Sequence, residues 1–354
     1  MAKVVVVGAG MMGTALCTPL ADAGHEVRLV GTHLDGAWIA ALKADRCHPK
    51  LGVPLPDGVT PFGFEEIRAA MTDVEVIAVG VSSAGVRWAA HVLAPFLRRD
   101  LPLIAVTKGL EESPPGALRV LPDVFSDELP ATLRGEVAPA AIGGPCIAGE
   151  IARRVPTSVV FCGRDRATLD YLAVTCATPY YHVHVSTDLV GVEVCAALKN
   201  SYAMAVGIGA GVHERLGGAP GPVAHHNYEA AIFAQACLEM DLLVRACGGD
   251  PRQVPHLAGA GDLLVTTSGG RSSRLGRLLG LGLSFEDARA QMAGDTLESA
   301  DTVRVVGGAL PRLYASGRLA PGSLPLMEHL QEIIALGRPV DMPFGRFFGE
   351  PAAP

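Results

Sequence analysis

Gly8-Ala9-Gly10-Met11-Met12-Gly13 follows the β-branched run Lys3–Val7 and leads directly into Thr14, Ala15 and Leu16. A strand that meets glycines at this spacing and turns at once into a helix has few destinations. The first glycine makes the tight turn, the second lets the backbone approach a pyrophosphate, and the third permits close strand–helix packing. The pyrophosphate would rest on unpaired amides at the helix N-terminus. Gly8, Gly10, Met11, Met12 and Gly13 are therefore the expected dinucleotide-binding residues, with NAD or NADP as cofactor. An acid for the adenosine ribose is expected about 20 residues further on. The second run instead ends Val30-Gly31-Thr32-His33, the nearest acid is Asp35, and no arginine stands there. The choice between NAD and NADP stays open on these residues.

The rest of the first half repeats the strand–helix theme. Runs at Lys3–Val7, Glu26–Val30, 74–79, 103–106, 140–142, 158–162 and 181–185 are short and β-branched, and several are apolar throughout. Continuous apolar runs suit strands buried on both faces, and their alternation with helical stretches predicts an α/β, Rossmann-like, mostly parallel sheet. Around Asp188, a candidate N-cap, the strands stop. Helical patterns follow at 188–206, 228–246, 285–293, 300–315 and 324–336. The expected organisation is a dinucleotide-binding domain over 1–187 and an all-helical substrate-binding domain over 188–354. A cleft between such domains is a common place for a ligand.

Other classes fall away on charge and cysteine usage. Lys and Arg number 29 against 36 Asp and Glu, a net charge of −7 that repels phosphate backbones, so no nucleic-acid partner is expected. The uncharged run Val4–Ala21 is broken by glycines and Pro19, and reads as a strand entering a turn, with no membrane span. Eight cysteines without a CxxC pair suit reduced thiols in the cytoplasm. Eleven histidines show no HExxH spacing, so no metal is expected, and the adjacent His225 and His226 read as loop or pocket residues.

Three charged residues stand in apolar or glycine-rich surroundings. Lys108 closes a strand in Thr107-Lys108-Gly109-Leu110, at the end of the sheet where ligands bind. Lys199 lies in the helical run Ala196-Ala197-Leu198-Lys199-Asn200, and Asp262 in Gly259-Ala260-Gly261-Asp262-Leu263. With these residues in view, the chain resembles the NAD(P)-dependent glycerol-3-phosphate dehydrogenases of the soluble two-domain kind. The resemblance runs through GAGxxGTAL (8–16), TKGLE (107–111), GGPxxAxE (143–150), GVEVCAALKN (191–200), LAGAGDLLVTT (257–267) and SLPLMEHL (323–330).

The resemblance implies hydride transfer between nicotinamide and the secondary carbon of a small phosphorylated polyol. Lys199 is then the group that protonates the developing alkoxide, Lys108 holds the substrate oxygen, and Asp262 balances and orients Lys199. Asn200 and Thr266 would add neutral hydrogen bonds, and Arg271 would grip the substrate phosphate with paired donors, Ser272 beside it. Thr32, Ser82, Arg271 and Glu298 are further expected cofactor contacts. The chain departs from the family at the phosphate end: Ser272 replaces an asparagine, Ser273 an arginine of bacterial members, Glu229 a basic residue and Gln235 an arginine. A roomier, less cationic pocket is expected, one that admits ketones larger than dihydroxyacetone phosphate. Two alternatives stand beside this reading, a β-hydroxyacid dehydrogenase and a non-catalytic dinucleotide sensor or assembly subunit. The apolar helical domain and the resemblance both suggest a C2 homodimer.

Overall fold

Val4, Val5, Val6 and Val7 alternate between two cores, Val4 and Val6 facing one and Val5 and Val7 the other. An apolar run without polar interruption is what a strand covered on both sides requires. The computed structural model describes residues 1–218 and 225–349. Two compact units emerge from it, Met1–Lys108 with Val120–Glu193, and Gly109–Arg119 with Val194–Pro354.

The first unit holds a sheet built from β1 (Lys3–Val7), β2 (Glu26–Val30), β3 (Val59–Phe62), β4 (Val76–Val79) and β5 (Leu103–Ala105). After the short pair β6 (Leu110–Glu112) and β7 (Leu118–Val120), it is completed by β8 (Ala140–Gly143), β9 (Thr157–Cys162) and β10 (Tyr181–Ser186). The spatial order is β10-β9-β8-β5-β4-β1-β2-β3. Within this eight-stranded sheet every pairing is parallel except β8 with β9. The order reverses at β1, which lies between β2 and β4. That reversal opens a crevice beyond the strand ends, the usual ligand position in such sheets.

Helices cover both faces. Leu16 and Leu20 of helix Met11–Asp22 pack in one core with Leu169 and Leu172 of helix Arg166–Cys176. The latter helix is capped by Asp165, whose carboxylate accepts from Thr168 N at 2.9 Å. Leu93, Val124 and Phe125 fill the other core. Each such buried side chain contributes roughly 1.5–3 kcal/mol.

Seven expected strands are present within two residues of their expected ends. The edge strand β3 was not anticipated, because it is short, carries Pro61 and has one face open. Proline is tolerated at an edge where no inner ladder bond is lost. The β6–β7 pair, all but its last residue Val120, lies in 109–119, which a linear division at Asp188 leaves with the sheet and which groups with the second unit. There Glu112 meets Arg312 at 3.1 Å.

The 27-residue helix Leu189–Arg215 runs from the end of the first unit into the second. Asp188 Oδ1 accepts from Gly191 N at 2.9 Å, so the expected N-cap is in place. Length and composition would let this helix cross a bilayer, but its most apolar stretch is 89% buried, the pattern of a core helix. It meets helix Arg271–Gly280 backbone to backbone. A methyl on Gly211 would lie 2.0 Å from Arg277 O, one on Gly276 2.0 Å from Met204 O, and one on Gly280 2.2 Å from Ile208 O.

A buried glutamate joins helix Leu189–Arg215 to two others of this unit. Glu239, on helix His226–Ala246, accepts from Tyr202 Oη (3.1 Å), Gln235 Nε2 (3.0 Å), Leu326 N (2.6 Å) and Met327 N (2.9 Å). The last two are amides at the start of helix Pro325–Leu336, where orphan donors need an acceptor. Burial pushes Glu239 up to about 7, against the pull of these donors.

Two stability predictions follow from this packing. Gly276→Ala gains about 1 kcal/mol in helix propensity but overpacks a backbone contact, for a net loss of about 2 kcal/mol in urea unfolding. Glu239 has its folded pKa raised, so its contribution is complete below about pH 4.5 and is lost as the pH rises through about 7. Glu239→Gln is expected to be less stable overall, with a flatter decline in stability between about pH 4.5 and about 7. An unchanged slope would contradict the assignment.

Candidate active site

The turn after β1 is held from both sides. Gly8 has φ +110°, a conformation glycine adopts without strain, and a side chain there would strike Gly80 O at 2.6 Å. A methyl on Gly13 would lie 2.1 Å from Gly8 O, which brings the helix start against the turn. At Gly10 the same construction meets nothing within 4 Å, so the space above the middle glycine is open. Gly10 caps helix Met11–Asp22 without a side-chain bond, leaving the amides of Met11 and Met12 for a ligand. These features fit a bound dinucleotide.

Ala9, between the first two glycines, is fixed by two side chains. Its N–H donates to Asp35 Oδ2 at 3.1 Å, and its carbonyl accepts from His48 Nε2 at 3.1 Å. Burial lowers the His48 pKa, and Lys50 N donates to His48 Nδ1 at 3.1 Å, which together select the neutral Nε2–H tautomer. Asp35 Oδ2 also accepts from Thr32 N at 2.8 Å. The nearest acid after β2 therefore ties the glycine turn to the strand end. Sequence reading found no role for Asp35 or His48, because both contacts cross loops that carry no periodic signal.

The other expected residues of the first unit lie at strand ends. Ser82 is exposed just past β4. Lys108, three residues beyond β5, reaches Gly144 O at 3.5 Å.

In the second unit, Lys199 and Asp262 form an ion pair although 63 residues separate them. Lys199 is 8% exposed and Asp262 fully buried. Asp262 is delivered by a π-helical turn, Leu257–Gly261, that runs into the short helix Asp262–Thr267. Thr266 donates its hydroxyl to Asp262 O at 2.6 Å. Asn200 Nδ2 donates to Glu298 Oε2 at 3.3 Å, so these two are brought together as well.

Gly269 and Gly270, both at positive φ, lead into helix Arg271–Gly280. Arg271 opens that helix exposed and forms no ion pair with any described residue, whereas Ser272 is buried. Ser273 donates its hydroxyl to Thr266 O (2.9 Å), with Thr267 O also in reach (3.2 Å). It braces the two helices, so its proton is engaged by the backbone. A cavity of about 780 Å³ adjoins this loop, lined by Val206, Phe233, Leu264, Gly270, Ser273 and Arg277 among others. Arg277 is paired there with Glu214 at 2.6 Å and Arg274 with Asp295 at 3.6 Å. Neither Lys199 nor Asp262 lines it.

A pair of opposite charges this deeply enclosed depends on both members. Asp262→Ala should cost about 3–5 kcal/mol in urea unfolding, because it strands a buried ammonium. Lys199→Met combined with Asp262→Leu should recover most of that loss. A mild single variant would contradict the pairing.

Known proteins give independent information. Two family models match the chain: "NAD-dependent glycerol-3-phosphate dehydrogenase N-terminus" over residues 3–169 and "NAD-dependent glycerol-3-phosphate dehydrogenase C-terminus" over 188–343. The NADP(+)-dependent glycerol-3-phosphate dehydrogenase of Archaeoglobus fulgidus is 37% identical over 287 residues, covering 81% of this chain and 82% of that protein. The glycerol-3-phosphate dehydrogenase [NAD(P)+] of Symbiobacterium thermophilum is 31% identical over 351 residues, covering 98% and 94%. The crystal structure of glycerol-3-phosphate dehydrogenase from Coxiella burnetii superposes with a TM-score of 0.80 at 26% identity, covering 96% of each chain.

Proposed function

This chain belongs to the NAD-dependent glycerol-3-phosphate dehydrogenase family, and from that premise we propose how its own residues carry the reaction. The activity is that of an NAD(P)-dependent oxidoreductase interconverting glycerol 3-phosphate and dihydroxyacetone phosphate. When bound, the nicotinamide supplies or accepts the hydride at the secondary carbon.

In the reducing direction the ketone oxygen gains negative charge and needs a proton. Lys199 supplies it from its ammonium and takes it back in the reverse direction, a role worth roughly 10²–10⁴-fold in rate. The buried pair with Asp262 is the observation that carries this assignment: the carboxylate holds the amine in one orientation and offsets its charge. Lys108 steadies the same oxygen. Asn200 and Thr266 provide neutral hydrogen bonds. Arg271, exposed and without an ion-pair partner among the described residues, receives the substrate phosphate, with the buried Ser272 behind it. Gly8, Gly10, Met11, Met12 and Gly13 cradle the pyrophosphate, and Thr32, Ser82, Arg271 and Glu298 line the remainder of the cofactor.

Glu229, Gln235 and Ser273 reduce positive charge around the phosphate end and Ser272 shortens a side chain there, which supports acceptance of ketones longer than three carbons. A homodimer in the cytoplasm completes the reading. Eight free cysteines suit a reducing compartment, and C2 dimers are the commonest soluble assembly.

NADH and NADPH oxidation should be measured with dihydroxyacetone phosphate, longer phosphorylated ketones and short keto acids. Lys199→Ala should bind cofactor normally in calorimetry and lose about 10²-fold or more in kcat. Arg271→Ala should raise KM about tenfold or more for every phosphorylated substrate. Turnover of keto acids alone would overturn the substrate class, and an unchanged KM would move the anion away from Arg271. A monomeric mass in light scattering would refute the dimer.

A further inference from the structure

Glu193 is a buried acid that the reaction above does not use. It lies near the start of helix Leu189–Arg215, fully buried, between the buried apolar residues Val192 and Val194. Neither carboxyl oxygen has a hydrogen-bond partner among the described residues. Glutamate is almost never fully buried unless paired, and an orphaned buried polar group calls for an explanation.

The sheet register brings together two groups that act on it electrostatically. Ala105 of β5 pairs with Ala141 of β8, and Ala141 pairs with Cys162 of β9. Lys108, just beyond β5, reaches over the end of β8 to Gly144 O. Cys162 donates its thiol to Ala141 O at 3.5 Å and senses the charges of both Glu193 and Lys108. Lys108 and Cys162 thus lie at one end of β5, β8 and β9, and the Glu193 carboxyl lies within electrostatic range of both in the first unit.

Among the described residues, two charged side chains act on Glu193. Lys108 attracts its ionised form and Asp123 repels it. Asp123 is itself held by Arg164 at 2.6 and 3.0 Å, and Asp188 acts on the same cluster through Cys162. Burial pushes Glu193 up to about 8 and the Cys162 thiol well above its ordinary value. Near neutrality Lys108 therefore has an uncharged acid as its neighbour, and on the alkaline side a carboxylate.

We propose that Glu193 is a positioning residue acting through Lys108: as a neutral acid it leaves the lysine to the substrate oxygen, and as a carboxylate it draws the lysine back into the protein. The inference rests on the dehydrogenase reading and on Lys108 holding that oxygen.

The test is a pH profile in a double-mutant cycle. The kcat/KM for dihydroxyacetone phosphate is measured in wild type, Glu193→Gln, Lys108→Met and the double variant. Wild-type kcat/KM should fall on the alkaline side, and Glu193→Gln should move that fall upward by about one pH unit or more. Its KM for NADH or NADPH should stay within about twofold. In the Lys108→Met background the Glu193 change should have no further effect. Glu193→Met, which fills a similar volume without a charge, should repeat the Gln result and guards against a folding defect in one variant, checked by thermal melting. An alkaline limb that stays in place, or equal losses in both lysine backgrounds, would overturn the proposal and leave the dehydrogenase reading standing. A wild type inactive on dihydroxyacetone phosphate with either cofactor would overturn both.

Discussion

A lysine ammonium enclosed to 8% exposure is tolerable only beside an equally enclosed carboxylate, and the core of the helical unit is arranged around that requirement. Lys199 points from a long buried helix, so its position is set by packing along the whole element. Asp262 arrives from a π-turn that aims the first residue of a short helix at it. Ser273 ties the end of that short helix to the start of the next. The next helix then lies against the first through glycines that leave no room for a methyl group. Loosening any of these contacts would shift an amine whose chemistry depends on where its proton points.

The first unit follows a different logic. Its glycine turn has to present bare amides, so little side chain near it can provide rigidity. That rigidity comes from outside, through Asp35 and His48 on the two polar groups of Ala9. A neutral His48 suits the task, since burial disfavours its charged form and the carbonyl needs only one donor. Preorganised amides receive an anion without a reorganisation cost, which is the value of such bracing.

Three buried acids show three ways of meeting the cost of desolvation. Asp262 takes a cation, Glu239 takes four hydrogen-bond donors, and Glu193 takes no hydrogen bond from any described residue. Burial lifts the Glu239 and Glu193 carboxyls to about 7 and about 8, and neither has a direct ion pair with any described residue to favour its anion. The first two hold the helical unit together. The third brings no bonding advantage to folding, and its lysine neighbour is the feature that gives it chemical meaning.

Much of this was legible in the chain itself, because the governing signals are local. Apolar runs marked strands buried on both faces, the glycine spacing marked the turn at Gly8–Gly13, and the ALKN and AGAGDL segments carried the resemblance that singled out Lys199 and Asp262. Tertiary structure decided the rest: that Lys199 meets Asp262 across 63 residues, that Asp35 braces the glycine turn, that Ser273 faces carbonyls, and that 109–119 packs with the helices. Edge strand β3 escaped notice for want of a buried pattern on both faces, and no local signal sets the buried Glu193 apart. The physical reason is the same in each case. Periodicity and turn chemistry act between neighbours in the chain, whereas the partner of a buried charge is chosen by which distant segments the packed core brings within reach.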